Sequence, residues 1–212
     1  MRGQPFVLAL VLFFILCPQL GYAQGVRFQP QGATAAGQGN AFSAQADDPS
    51  AIHYNPAGLS QLKGIQVLSG TTLVGGSVKF TSPTGIDSRG DFGGTIANPP
   101  PSYFYVSANL GSLGWNSLSD VTVGLGLNSP FGLNIRYPVD GPFNTVVTSA
   151  ALPLIDIKPT VAYKLNDQLA IGIGADIYTF ASFLGQGHAE QKQVGTGPLA
   201  GASIEANGKG TG

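Results

Sequence analysis

Charge is what this sequence has least of. Lys, Arg, Asp and Glu make up 10% of its residues, where soluble globular domains carry about 25%, so much of the surface is not built to meet water. The few cations are scattered and the net charge is −1. That excludes nucleic acid as a partner, since phosphates call for a basic patch. The one cysteine is Cys17, so no intramolecular disulfide framework exists. No apolar run reaches the roughly 20 residues that carry a helix across a bilayer. If the chain enters a membrane it does so as a closed barrel, because lipid cannot satisfy the open edges of a sheet. Catalytic sets are missing too. His53 and His188 lack the further His, Cys or Asp spacing of a metal site, and no Gly-x-Ser-x-Gly elbow is present. Gly37-x-Gly39 has no strand before it to make a nucleotide loop. No enzymatic activity, metal or cofactor is expected.

What is present begins with a leader. Arg2 supplies a positive start, Phe6 to Cys17 an apolar stretch, and Gly21-Tyr22-Ala23 the small residues of a cleavage point. Residues 1–23 therefore read as a signal peptide cut after Ala23; Leu16 before the cysteine is too large for a lipoprotein signal. Residues 32–63 then form a compact, Gly-, Ala- and Gln-rich stretch without strand alternation. Asp47 or Asp48 can cap a turn opened by Pro49, and Asn55 one opened by Pro56 and stopped at Gly64. The stretch is too small to fold alone and reads as a plug.

Strand signals follow at residues 64–78, 102–110, 121–128, 154–163 and 169–180. The third is the cleanest: Val121, Val123, Leu125 and Leu127 alternate with Thr122, Gly124, Gly126 and Asn128. Period two with one apolar face means a strand between two different solvents. It ends at Ser129-Pro130-Phe131-Gly132, where proline leaves the ladder and glycine allows a bend. In the fourth segment Pro159 removes one ladder bond and suggests a bulge. Residues 79–101 and 133–153 read as long loops, and from 183 to 212 the pattern dissolves. Long connections after the first, third and fifth strands, and short ones between, are the asymmetry of a transmembrane barrel. A sandwich would put more charge on its polar face. The expected fold is all-β, a transmembrane antiparallel barrel with a small helical plug in its lumen.

These features assemble into a resemblance. Gly37-x-Gly39-x-Ala41-Phe42, then Ala46-Asp47-Asp48, then Asn55-Pro56-Ala57-x-Leu59, all ahead of a strand, look like the N-terminal hatch of the FadL/TodX family of outer-membrane transporters. The resemblance implies a 14-stranded barrel of which about five or six strands are present, with the hatch at residues 24–63 and the first part of the barrel at 64–212. It implies passive uptake of hydrophobic small molecules, long-chain fatty acids or aromatic hydrocarbons, through a hatch-side pocket. Substrate would leave sideways at a kink in the third strand. Carried over, Asn55, Pro56 and Ala57 hold the hatch. Gly126, Asn128, Pro130, Phe131 and Gly132 border the lateral gate. Leu133, Phe183, Leu184 and Leu199 are candidate contacts for apolar substrate. Asp156, Lys158 and Asp176 share the non-lipid parity of adjacent strands and are expected to form lumen ion pairs. The expected partners are the hydrophobic solute and outer-membrane lipid, with a monomer as the complete form. Five clear strands fall short of a closed barrel, so the chain reads as the N-terminal part of a longer protein. The other functional class left open is a structural or adhesive outer-membrane barrel without transport.

Overall fold

Residues whose side chains alternate between two solvents pair into a wall, and the residues without alternation fold against one side of it. A computed structural model describes residues 28, 30–81, 85–97, 100–131, 134–143, 147–152, 154–180, 189–195, 198 and 200–208. The leader lies outside them. The described residues of the segment expected to form a hatch, called the hatch below, contain two short helices, α1 (Ala33–Gly37) and α2 (Ala51–Tyr54), followed by a 3-10 turn at Pro56–Gln61. Helix α1 ends where Gly39 and Asn40 take left-handed conformations, with φ of 60° and 66°. Among the described residues twelve strands follow in order: β1 (Ile65–Thr71), β2 (Gly75–Thr81), β3 (Asp87–Ile96), β4 (Ser102–Asn109), β5 (Val121–Asn128), β6 (Ile135–Arg136), β7 (Ser149–Ala151), β8 (Ile155–Lys164), β9 (Ala170–Gly174), β10 (Ile177–Thr179), β11 (Ala189–Val194) and β12 (Ser203–Gly208).

All pairings among them are antiparallel. One sheet runs β1-β4-β5-β8 and then β9 and β10, which lie end to end beside β8; the other runs β2-β3-β6-β7-β11-β12. The two orders correspond. Along the chain β2 continues β1, β3 leads into β4, β6 continues β5, β7 leads into β8, and β11 follows β10. The second sheet is thus an extension of the wall built from the connections that read as loops. It stands in water: Lys79, Asp87, Arg89, Asp91 and Arg136 are exposed there. Lys79 Nζ lies 2.8 Å from Asp87 Oδ2, and that bond holds the Asp87 carboxyl below the ordinary carboxylate range.

The first sheet has the opposite surface. Its outward residues line up in ladder rows: Ile65, Ala108, Val123, Val161 and Ile173 in one, and Ser69, Phe104, Leu127, Ile157 and Ile177 in another. Between them run Val67, Val106, Leu125 and Pro159. None is charged. Leu125 is 40% exposed and Ile173 71%, and a contiguous exposed apolar band of this kind marks an interaction surface rather than a face built for water. Such a band belongs against lipid. Besides Asp156, Lys158 and Asp176 on the inner face, this part carries charge at its end, where Lys164 Nζ meets Asp167 Oδ1 at 2.7 Å in the β8–β9 turn and depresses the Asp167 carboxyl.

The buried core lies on the other face, between wall and hatch. Ala35, Phe42, Ala46, Ala51, Ile52 and Leu59 of the hatch are fully buried, with Tyr103, Tyr105 and Ala162 of the wall. Several segment boundaries differ from the alternation. Residues 64–78 are not one strand: the ladder stops after Thr71, Thr72 N donates to Pro101 O at 2.8 Å, and β2 joins the other sheet. Residues 79–101 contain β3, 133–153 contain β6 and β7, and 183–212 contain β11 and β12. Pro159 makes no bulge. Thr160↔Gly174 and Ile157↔Ile177 keep one register on either side of it, and the lost N–H shows only as the gap between β9 and β10.

Candidate functional site

The site is the seam where the hatch meets the inner wall, and glycine makes it possible. A Cβ added at Gly124 would lie 2.8 Å from Ile52 Cδ1 and 3.1 Å from Leu59 Cδ1; one at Gly126 would lie 2.9 Å from Ile52 Cγ2. Ile52 therefore sits in a notch that two alternate glycines leave on β5. A Cβ at Gly172 on β9 would collide with Ala57 N and the Pro56 carbonyl carbon, so the Asn55-Pro56-Ala57 turn rests directly on strand backbone. Within the hatch, Gly58 fits against the backbone and Cβ of Ala46, which itself holds a left-handed φ of 40°. The small residues of the hatch motifs are thus the points of closest approach.

Polar contacts tie the same surfaces. Asn55 does not cap the turn after it; its Nδ2 donates to Ser43 O at 2.8 Å, fastening the turn to the preceding hatch segment. Asp48 behaves as a cap: its Oδ1 accepts from Ser50 N at 2.8 Å. Tyr105 of β4 donates its hydroxyl to Gln31 O at 2.9 Å, and Tyr54 OH accepts from Gln31 N at 3.0 Å. Asn128 Nδ2 lies 3.4 Å from His53 Nδ1. At the upper end of β5, Ser129 N donates to Ser102 O at 3.2 Å, Phe28 N donates to Pro130 O at 2.7 Å, and Gln31 Nε2 reaches Ser129 O at 3.4 Å.

The residues singled out from the sequence fall as follows. Gly126 and Asn128 lie within an unbroken ladder, paired with Tyr105 and Tyr103 on one side and with Lys158 and Asp156 on the other. Both face the hatch. Pro130 is fully buried, and the Phe131 ring stands 6.0 Å from that of Tyr178. Gly132, Leu133, Phe183, Leu184 and Leu199 lie outside the described residues. Lys158 Nζ meets Asp176 Oδ1 at 2.8 Å, while Asp156 is fully buried on the same face, with Asn128 and Tyr178 as its ladder neighbours. At the short-turn end a cavity of about 360 Å³ separates Asn55, Ala57 and Gln61 from Asn166, Gln168 and Leu169. Sequence reasoning missed the seats of Ile52 and Pro56 and the His53–Asn128 contact. The glycines at every second position of the third and fifth strands were the legible signal for the seats.

A small helical segment seated on the glycine-lined inner face of a wall whose outer face is apolar has a counterpart among known proteins. The sequence model for "Outer membrane protein transport protein (OMPP1/FadL/TodX)" matches residues 19–210. The chain belongs to this family. Its members transport hydrophobic compounds across the outer membrane. A relative in Neisseria meningitidis serogroup B (strain ATCC BAA-335 / MC58), "Putative outer membrane protein NMB0088", is 32% identical over 127 residues. That alignment covers 56% of this chain and 25% of the relative, so the chain spans about a quarter of the length of the curated protein it matches. As a FadL/TodX member the chain is an outer-membrane β-structure.

Proposed function

We propose that this chain supplies the hatch and the adjoining wall strands of an outer-membrane channel for passive uptake of hydrophobic small molecules, fatty acids or aromatic hydrocarbons. In this reading the wall is completed to a closed barrel by further strands, since β1 exposes a free ladder edge beside an apolar band and a bilayer does not tolerate one. The leader is removed after Ala23, and Asn55, Pro56 and Ala57 hold the plug in place. The observation that supports the proposal is the seating of Ile52, Leu59 and Pro56 on wall glycines; in this reading that segment closes the lumen of the completed barrel. No residue set for chemistry is needed, because a downhill gradient and apolar binding are sufficient.

The lateral opening belongs at residues 129–133. There β5 leaves its ladder and Pro130 offers its carbonyl to the hatch rather than to a neighbouring strand. Gly126 and Asn128 act one turn lower, as the surface the hatch must leave. Filling the bend with Gly132→Phe is expected to cut uptake of a long-chain fatty acid or an aromatic hydrocarbon by tenfold or more in cells making the full-length protein. Leakage of large hydrophilic antibiotics should stay at the wild-type level. Uptake that persists in folded Gly132→Phe protein would place the exit elsewhere. Wild-type protein that moves no hydrophobe at all would favour the adhesive or structural reading.

A further inference from the structure

The turn joining β4 to β5, residues 110–120, lies at the short-turn end of the wall and carries no charged residue before Asp120. It folds into two 3-10 turns, Gly111–Leu113 and Asn116–Leu118. Three large apolar side chains stand on and between them: Trp115 is 58% exposed, Leu113 46% and Leu118 40%. Single exposed apolar residues are ordinary on any surface, but three so close together form a patch with a use. The backbone beneath them is closed on itself. Leu113 N and Trp115 N both donate to Leu110 O at 3.1 Å, Gly114 N to Gly111 O at 3.1 Å, and Leu118 N to Trp115 O at 2.8 Å. Asn109 clasps the two arms, its Oδ1 accepting from Ser112 N at 3.2 Å and its Nδ2 donating to Ser119 O at 2.8 Å. Gly111 lets the arms touch, since a Cβ there would lie 2.8 Å from Ser119 Cα. A turn whose polar backbone is satisfied internally can leave water at low cost.

We infer that this turn is a membrane anchor: Leu113, Trp115 and Leu118 enter the boundary between headgroups and acyl chains in the leaflet at the short-turn end, the periplasmic one in an outer-membrane barrel. The apolar band of the wall leads straight to it. Val121, Tyr163 and Ile171 form the last ladder row on the outer face, and the exposed Leu165 and Leu169 carry the band into the neighbouring turn. Trp and Tyr favour this depth, because the ring prefers hydrocarbon while the N–H or O–H prefers a headgroup oxygen. The lumen side offers no match at this end, where the cavity beside the hatch is lined by Asn55, Gln61, Lys164 and Gln168. A protein partner fits less well, since three side chains are far fewer than the roughly 20–30 residues a side of a stable interface. The anchor also bears on the hatch. Gly64, at the junction of hatch and β1, donates its N–H to Ser112 Oγ at 3.1 Å and accepts from Asn109 N at 3.0 Å. The turn thereby holds that junction at a fixed depth in the membrane.

Trp115 is the one tryptophan of this sequence and reports its own surroundings. In the full-length protein in phospholipid vesicles, the difference in fluorescence between wild type and Trp115→Phe isolates its emission from that of any other tryptophan. Trp115→Tyr serves as a second reference should the first fold poorly. Quenching is measured with phospholipids brominated at successive depths along the acyl chain, and with iodide in the water. Bromines nearest the headgroup are expected to quench roughly threefold more strongly than those nearest the chain end. Iodide should act several-fold less than on free indole in the same buffer. Strong iodide quenching without lipid quenching would put the turn in water. Quenching by neither reagent would put it against protein, a second copy or a periplasmic partner. Quenching strongest from the deepest bromines would put it in the hydrocarbon core. Each of these three results overturns the anchor.

Discussion

Gly126→Val is expected to open the lumen. The added Cβ alone would stand 2.9 Å from Ile52 Cγ2 and 3.0 Å from the Tyr105 ring, and the two further methyl carbons of valine have no other space on that face. Overpacking of this kind costs about 1–3 kcal/mol. The cost falls on the weaker of the two partners, since β5 is held by complete ladders to β4 and β8 and the hatch chiefly by side-chain contacts, beside the Phe28 N to Pro130 O bond. A bias of that size raises the population of the displaced hatch roughly 5- to 150-fold. Gly124→Val, against Ile52 and Leu59, should act alike. The readouts are conductance in planar bilayers and sensitivity of cells to large hydrophilic antibiotics, both rising in the full-length protein. Leu127→Val, on the outer face of the same strand, should change neither. Ile52→Ala combined with Gly126→Val should restore closure, because the shortened side chain gives back the space; the double-mutant cycle isolates that one contact. Wild-type conductance in folded Gly126→Val protein would mean that Ile52 does not close the lumen.

Leu125→Arg tests the other face. Leu125 lies mid-strand in the row of Val67, Val106 and Pro159, where the wall meets the middle of the bilayer. A cation on the lipid face at that depth costs about 2–4 kcal/mol, while the same change near an interface costs about 0–1 kcal/mol. Denaturant titration of the full-length protein in lipid vesicles should therefore show a large loss for Leu125→Arg and a small one for Val121→Arg, beside the short turn. Equal losses at the two positions would indicate that the band faces protein rather than lipid.

The membrane part of the wall was legible because each of its strands separates two solvents. Val121 to Asn128 records that separation directly, and even its glycines carried meaning as the surface against the hatch. In the first strand Ile65 and Val67 face outward while Leu68, on the opposite parity, packs inward against the hatch core. The extension of the wall was not legible. In β3, Ser88 and Gly90 face a covering loop while Asp87, Arg89 and Asp91 face water, so no apolar face marks the strand, and ladder hydrogen bonds define it instead. The same applies to β11 and β12, whose sequences AEQKQV and SIEANG show no sustained apolar side. Within the hatch, composition announced close packing, and the motif residues are where it occurs. Which hatch residue meets which glycine depends on contacts remote in sequence. Ile52 against Gly124, Pro56 against Gly172 and His53 against Asn128 became visible only once the strands were in register.

The central claim is that β5 separates lipid from hatch. Spin labels placed one at a time at Thr122, Val123, Leu125, Leu127 and Asn128, which spare the glycine seats of Ile52, in the full-length protein in bilayers, with power saturation by oxygen and by a water-soluble nickel chelate, test it most directly. The account predicts that the two parities differ. Labels at 123, 125 and 127 should be mobile and oxygen-accessible, while those at 122 and 128 should be immobilised and reached poorly by either reagent. Labels at 122 and 128 freely reached by the nickel chelate, or odd-numbered labels buried and immobile, would contradict it.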